Sequence, residues 1–532
     1  MKKILSLILI LITIKTASAQ IVIGTPAGAC DSAAILDVRS HSKGFLVPRM
    51  DQNQADAVVN PAEGLMFYNT TTRNFNFYGG NTVIQIDSNG INSENSVFYR
   101  KTVQVENKDD MAYAVCATSD GGVLIAGSAT IDDNGTGILD LYFLKLTSTG
   151  EQDKNFGTDG KVVINTGTYE RIYSVIQTND GGYAAAGYVT HAPGSGCVVK
   201  LKNDGSLDSQ FGTNGTFYIS NGSNQVFFDD IKQTADSGFI VVGSSDESTN
   251  NGTDIYIVKL TKTGSLDNGF NNDGTMTVGV QDEYEHGLAV DVTNNNKYFI
   301  TGYTSDNSNG AMIVLKLNQD GTFNAGFNGG KIKFGDWGYE KGKSIFSTPD
   351  GGCIVTGSRL GIMFVAKIDS HVLSLKVRSF SGNDYYLDGL SSVKLNDSSF
   401  MVAGSASSKN NDSVYSFLVK LDTALNVVTT FGHNGYLILG DRFTNEFKAV
   451  CKTADNGIVA AGYTQDENQD EDIYIVKTNN SGRSCGNTYG LNVNISLFGN
   501  TNIYSPQVNS GGTLHNETLV ITSQGTVTTI CN

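Results

Sequence analysis

The residues best suited to chemistry lie in short segments where aromatic rings stand beside acids: Tyr169-Glu-Arg171, Asp282-Glu-Tyr-Glu-His286, Asp336-Trp-Gly-Tyr-Glu340, Asp384-Tyr-Tyr386 and Arg442-Phe443. Ring faces stack on the C–H groups of a pyranose, and carboxylates accept its hydroxyl protons, so this pairing suits a sugar-binding surface. An acid keeps one place relative to the segment that follows it, at Asp110, Glu170, Glu285, Glu340 and Asp388, and a residue so locked to a repeat reads as a turn cap. Trp337, Asp282, His286 and Tyr385 stand out of that register and are the residues expected to bind a ligand. Trp337 is the chain's only tryptophan, and two roles are open to it: stacking on a ligand, or packing between neighbouring structural units.

Other chemistries find less support. The oxygen-rich segments at 132–135, 246–252 and 465–472 lack the D-x-[DN]-x-[DN]-G spacing that fixes a calcium shell. They read as solvated hairpin tips, and calcium is the one cofactor left open. Six scattered histidines, no HExxH, no nucleophile elbow and no phosphate loop leave no catalytic residue to name. Cys485 and Cys531 bracket the last segment and are expected to pair as a disulfide in an exported chain, although seven cysteines leave at least one thiol free.

The elements that must position these residues come from a repeat. Its clearest copy runs from Glu170 to Gly187: an alternating β run, the turn Asp180-Gly181-Gly182, and a second β run closed by glycine, which is a hairpin. The closing glycines are Gly127, Gly187, Gly243, Gly302, Gly357, Gly404 and Gly462, at intervals of about 56 residues, the size of a propeller blade. Each is followed by an apolar run holding a lysine, such as Val199-Lys200-Leu201, and then by a turn such as Phe211-Gly-Thr-Asn-Gly215 leading to a fourth strand. Fourth strands follow only six copies, and an orphan β segment at 97–103 precedes the first, so it can complete the last blade and remove two open sheet edges. The expected fold is all-β: a seven-bladed β-propeller of four-stranded blades over 97–480, with a small β-rich N-terminal module at 20–92 and a short β-rich tail at 481–532. If the strand before each Asp-Gly-Gly turn is innermost, its channel-facing position reads Cys116, Ile176, Lys232, Asp291, Phe346, Lys394 and Cys451, a set with no metal or acid–base logic. Cys116 and Cys451 are expected as two buried thiols on neighbouring blades.

Asp-Gly-Gly before a β run, Ala-Gly-Tyr, Val-Lys-Leu, Asp204-Gly-Ser-Leu-Asp208 and Phe-Gly-x-x-Gly together resemble the delta-sixty repeats of secreted bacterial propellers. That resemblance covers about 97–480 and implies a propeller and export, with no family reaction or site residues to carry over. The segments Lys43-Gly-Phe-Leu-Val-Pro-Arg-Met50 and Pro61-Ala-Glu-Gly-Leu-Met-Phe-Tyr-Asn-Thr70 resemble an N-terminal module of secreted, tail-fibre-like bacterial proteins, and oligomerisation through that module is left open.

A basic start, a short apolar run and Ala17-Ser-Ala19 make residues 1–19 a signal peptide, so the protein is expected to be exported, to the periplasm, the cell surface or the medium. No later run is long enough to be read as a membrane span. With 61 glycines and only 6 prolines the chain suits a turn-rich β protein, and a net charge of −16 argues against nucleic acid or anionic lipid as partners. The expected role is non-catalytic binding of a carbohydrate or protein on a propeller face. A polysaccharide-active enzyme on that face and an oligomeric, fibre-like structural protein are the alternatives.

Overall fold

The computed structural model describes most of residues 99–482, shorter stretches between 21 and 92, and two strands at 502–504 and 518–519. The signal segment 1–19, Asp282, Trp337, Cys485, Cys531 and most of the three oxygen-rich tips lie outside the described residues. Two compact units divide the chain, Met1–Asn95 and Ser96–Asn532. In the first, Ile21–Gly24 pairs in parallel with Leu36–Arg39, and a five-stranded sheet begins at Arg49–Met50 and ends at Gly90–Asn92. Its small core holds Ala55, Phe67 and Tyr78, with the Tyr78 hydroxyl donating to the Ala55 carbonyl at 2.8 Å.

The second unit is a β-propeller. Its first sheet takes Asp110–Ala117, Val123–Thr130, Leu139–Leu146 and Lys161–Ile164 in chain order, and five more four-stranded arrangements follow the same plan. The last joins Asn445–Lys452, Ile458–Gln465 and Glu471–Thr478 to Tyr99–Val103, which comes from before the first sheet and pairs Val103 with Ile473 and Tyr99 with Lys477. In the fifth, the outer strand Leu375–Gly382 also pairs with the tail strands Asn502–Tyr504 and Thr518–Leu519.

The first strand of each sheet packs against the first strand of the next, and Asn445–Lys452 packs against Asp110–Ala117. Second and third strands such as Val123–Thr130 and Leu139–Leu146 are buried along their whole length because sheets cover both of their faces, which is why they read as continuous apolar runs. Outer strands are four residues long in most sheets and partly exposed. The apolar clusters lie between consecutive sheets. One of them joins Val459, Ala461 and Ile473 of the last sheet to Val115, Ile125 and Tyr142 of the first, with Tyr99 among them.

The closing glycine has a physical cause. At Gly187 and its equivalents a Cβ would run into the carbonyl oxygen of the facing first strand, that of Arg171 in this case. The close approach accompanies a β-bulge: Ile172 pairs with Gly187 and Ser174 with Ala186, which leaves Tyr173 unpaired between them. A bulge re-aims one side chain. All seven described first strands carry it at the same place, re-aiming Tyr113, Tyr173, Asp229, Leu288, Lys343, Leu390 and Lys448.

The Asp-Gly-Gly turn and the lysine of the third strand belong together. Asp236 accepts the Gly238 N–H at 2.8 Å and the Thr234 hydroxyl, while its other oxygen faces the Lys259 ammonium at 3.0 Å. Lys259 also meets Asp267 at 3.3 Å and is 1% exposed. The same clamp recurs at Lys145 with Asp120, Lys200 with Asp180, Lys367 with Asp350 and Lys477 with Asp455. Two sheets differ: Lys316 donates to the Gly351 carbonyl at 2.8 Å and Lys420 to the Asn480 side chain at 2.8 Å. Burial lowers the pKa of both amines, since no carboxylate offsets it.

Candidate functional site

An antiparallel four-stranded sheet puts the first strand's start, the loop between second and third strands, and the fourth strand's end on one face. The Asp-Gly-Gly turns lie on the other. The loop face is built in tiers from fixed repeat positions, counted from the residue that pairs with each closing glycine. The outermost tier, three residues before that pair, reads Asp109, Tyr169, Gln225, Tyr284, Tyr339, Tyr386 and Thr444. Its four tyrosines are 50, 38, 43 and 51% exposed, in chain order. Exposed tyrosines repeated at one position are not required by the fold, because the same position also takes Asp, Gln and Thr.

One residue deeper stands the tier expected as turn caps. Asp110, Glu170, Glu285 and Glu340 are all buried, and Asn445 takes the same place in the last sheet. Glu170 accepts the Thr166 N–H at 2.7 Å, Glu285 the Thr304 hydroxyl at 3.2 Å, and Glu340 faces Arg359 at 3.2 Å. Asp388 does not belong to this tier. The pairing of Gly389 with Gly404 puts Leu387 there instead, and Asp388 sits one residue further on, in a 2.6 Å ion pair with Lys343.

The half-buried belt below combines that next position with the bulged residues. Rings form a continuous row across three sheets: Tyr113 to Tyr173 at 5.3 Å, Tyr173 to Tyr188 at 6.1 Å, and Tyr188 to Phe227 at 5.0 Å. Arg171 lies over Tyr113 at 5.9 Å. His286 stacks on Tyr303 at 4.8 Å and meets the Thr253 hydroxyl at 2.9 Å, with Lys341 over the Tyr303 ring at 4.2 Å. Burial, helped by Lys341, lowers the His286 pKa to about 4, so the imidazole is neutral at physiological pH. Further round, Glu446 faces Lys448 at 2.9 Å and accepts the Tyr463 hydroxyl at 2.9 Å.

The bulged residue of the third sheet is Asp229. Its neighbour Asp230 is fully engaged: it accepts Lys232 at 2.8 Å, Ser174 from the preceding sheet at 2.7 Å and the Val290 N–H of the next at 3.0 Å. Burial, and secondarily the Asp230 carboxylate, push the Asp229 carboxyl up to about 8. The two faces titrate in opposite senses. On the turn face Asp120, Asp180, Asp236, Asp350 and Asp455 are desolvated, yet hydrogen bonds from lysine, threonine and glycine hold them below the usual carboxylate range. On the loop face burial raises Glu170, Asp246 and Glu471.

Of the expected ligand-binding residues, His286 belongs to the belt. Tyr385 packs edge-on against Tyr415 at 5.8 Å, and Tyr386 beside it takes the exposed position. The channel set chosen from sequence lies deeper on the first strands, where Asp291 accepts the Ser347 N–H of the next sheet at 2.7 Å. Cys116 and Cys451 are free thiols, as are Cys197 and Cys353. Sequence reasoning missed Asp229, Tyr173, Tyr188 and Tyr303. The available signal was their change of type from repeat to repeat beside positions that keep theirs. Among the described residues no group of three or more His, Cys, Asp or Glu side chains is placed to hold a metal ion. No helix among them is long and apolar enough to cross a membrane.

Residues 21–96 match a family described as a phage tail-like trimerisation region. Residues 237–270 and 293–327 match a β-propeller domain of unknown function, DUF5122. No curated protein matches the sequence. Among solved structures, the chain is similar to the extracellular domain of a putative one-component system from B. thetaiotaomicron, at 11% identity and TM-score 0.36 over 88% of this chain and 53% of that one. It thus spans about half the length of that structure. The polysaccharide lyase Uly1 is similar at 8% identity and TM-score 0.41 over 73% of this chain and 93% of its own. A leech intramolecular trans-sialidase is similar at 10% identity and TM-score 0.34, over 76% and 74% respectively.

Proposed function

We propose that the protein is an exported, non-catalytic binding protein that presents the loop face of a seven-bladed propeller to a carbohydrate or protein ligand, as an oligomer held by its N-terminal module. The observation that carries the reading is the tier of exposed tyrosines at Tyr169, Tyr284, Tyr339 and Tyr386. Tyrosine supplies a large, rigid and amphipathic contact area at low entropic cost, so a row of them around a channel mouth suits recognition. Pairing of Tyr99–Val103 with the last sheet supports ring closure and the blade count, and the repeat motifs resemble those of the delta-sixty kind. The match of residues 21–96 supports a trimer, in which three propellers bind a repetitive ligand with avidity.

The test is a combined glycan-array and protein-array screen of the mature chain beside a variant with Tyr284, Tyr339 and Tyr386 all replaced by alanine. The reading predicts ligands retained by the natural chain and lost by the variant, with unchanged thermal unfolding. A ligand held equally by both would move the site off this face.

A further inference from the structure

The fifth sheet carries residues on the loop face that the fold does not ask for. Its second strand ends at Arg359 and its third begins at Ile362, so Leu360 and Gly361 alone make the turn, and every other propeller sheet has a longer segment there. Both residues are left-handed, with φ of 45 and 78°, as a type I′ turn requires. Asparagine and glycine adopt that conformation at little cost, whereas leucine is strained in it. Leu360 is also 65% exposed, more than any other large apolar side chain described in the propeller. Neither backbone geometry nor burial accounts for a leucine at this tip.

Tyr339 repeats the pattern. It is 43% exposed and sits at φ 56°, a conformation rare for a bulky residue. Strain of this kind persists where a side chain has to be aimed. Gly310 of the preceding sheet makes room for it, since a Cβ there would come within 2.8 Å of the Tyr339 Cα. The pairing of Lys341 with Ser358, continued two residues outward, brings Tyr339 to the level of Leu360. Tyr386 of the next sheet lies against Gly361, where a Cβ would run into its ring. Lys341 lies two residues inside Tyr339. Its ammonium stands over the Tyr303 ring at 4.2 Å, and among the described residues no oxygen accepts from it. The neighbouring acids are committed elsewhere: Asp388 pairs with Lys343 at 2.6 Å, and buried Glu340 faces Arg359 at 3.2 Å. A ring face meets one side of an ammonium, and the remaining N–H donors call for an anion.

Resting on the loop-face reading, we infer that the ligand site is the fifth sheet's part of that face and that it takes an acidic sugar, with the carboxylate on Lys341 and the C–H face of the ring on Tyr339 and Leu360. The dimensions suit a carboxylate carried directly on a pyranose, as in a hexuronic acid, because two residues span at most about 7 Å. The net charge of −16 opposes a heavily sulfated chain as a whole. One carboxylate beside one ammonium acts inside the screening length of about 8 Å at physiological salt, so isolated uronic residues escape that repulsion.

The probe is an array of hexuronic-acid oligosaccharides, each printed beside its carboxyl-reduced counterpart, with sulfated oligosaccharides and acidic peptides on the same slide. The full chain is expected to hold at least one uronic oligosaccharide about tenfold more tightly than its reduced counterpart, the effect of one charge-assisted hydrogen bond. Lys341→Met should make the two members of that pair equal and Lys341→Arg should restore the preference, both with unchanged thermal unfolding. Leu360→Asn should weaken both members alike, about fivefold, while its melting temperature holds or rises, because asparagine accepts the left-handed turn. No binding to any uronic oligosaccharide, equal affinity within every pair, a preference that survives Lys341→Met, tighter binding of the sulfated oligosaccharides or the peptides, or full binding by Leu360→Asn would overturn the inference. Ligands lost by the three-tyrosine variant and indifferent to Lys341→Met would leave the loop-face function standing and remove only the acidic-sugar site.

Discussion

The lysine clamp makes a prediction that ion-pair counting does not. Lys259 has three acceptors: Asp236 at 3.0 Å, Asp267 at 3.3 Å and the Leu260 carbonyl at 3.1 Å. Its side chain is 2% exposed, whereas those of Asp236 and Asp267 are 43 and 31% exposed. In the double variant Asp236→Ala/Asp267→Ala the ammonium stays buried with one carbonyl, and an uncompensated buried charge costs about 3–5 kcal/mol. Loss of the Asp236 contacts to Gly238 and Thr234 adds about 1 kcal/mol. Lys259→Met removes the same two ion pairs but leaves carboxylates that water can reach, so its cost is about 1–2 kcal/mol. Urea unfolding at pH 7, followed by far-UV circular dichroism, should therefore rank the double aspartate variant well below Lys259→Met. The folded-state pKa of Asp236 is lowered, so its stabilisation is present above the ordinary carboxylate pKa near 4 and lost as pH falls through the lowered value. The gap between the natural chain and Lys259→Met should then close toward pH 3. A lysine variant as unstable as the double aspartate variant, or a gap that persists in acid, would refute the reasoning.

Deleting Tyr99–Val103 should lower the propeller's melting temperature by more than 10 °C, because the strand's partners Ile473 to Lys477 become an open edge and Tyr99 leaves the cluster between last and first sheets; unchanged calorimetry would sink the closure argument. Asn295 holds the place that Asp236 has in its sheet, so Asn295→Asp should give Lys316 a counter-ion and raise stability by about 1 kcal/mol in urea unfolding, and a loss would show that the Gly351 carbonyl already suffices. His286 is neutral when folded, with a pKa lowered to about 4, so unfolding takes up a proton between pH 4 and 6.5 and stability is lost as the pH drops from 6.5 to 4. His286→Phe should flatten this part of the profile, and an unaltered slope would assign it to other groups.

The blade plan was legible because it is written in positions that cannot vary. Gly187 excludes a Cβ, Asp180 must cap its turn, and the runs around Lys200 must bury both faces, so each leaves the same residue type in nearly every repeat. The pairing of that aspartate with that lysine was also in view, since Asn295 loses the acid and Lys316 adopts other partners, but it needed the third strand's register to be seen. The belt was less legible for the opposite reason. A bulge shifts alternation by one, so the channel set counted forward along the strand fell on Lys232 and Asp291 and passed over Asp229 and Leu288. In the sixth sheet the same count put Asp388 among the caps, where Leu387 stands.

Hydroxyl-radical footprinting of the chain with and without its highest-affinity array ligand is the most direct test of the proposal that the loop face is the binding surface. Tyr169, Tyr284, Tyr339 and Tyr386 report on that face, while Tyr218 and Val163, exposed at 39 and 41% on outer strands, serve as internal controls. Binding on that face should protect at least two of the four loop-face tyrosines and leave Tyr218 and Val163 unchanged. Protection of Tyr218 or Val163 with the four tyrosines still fully oxidised would contradict it.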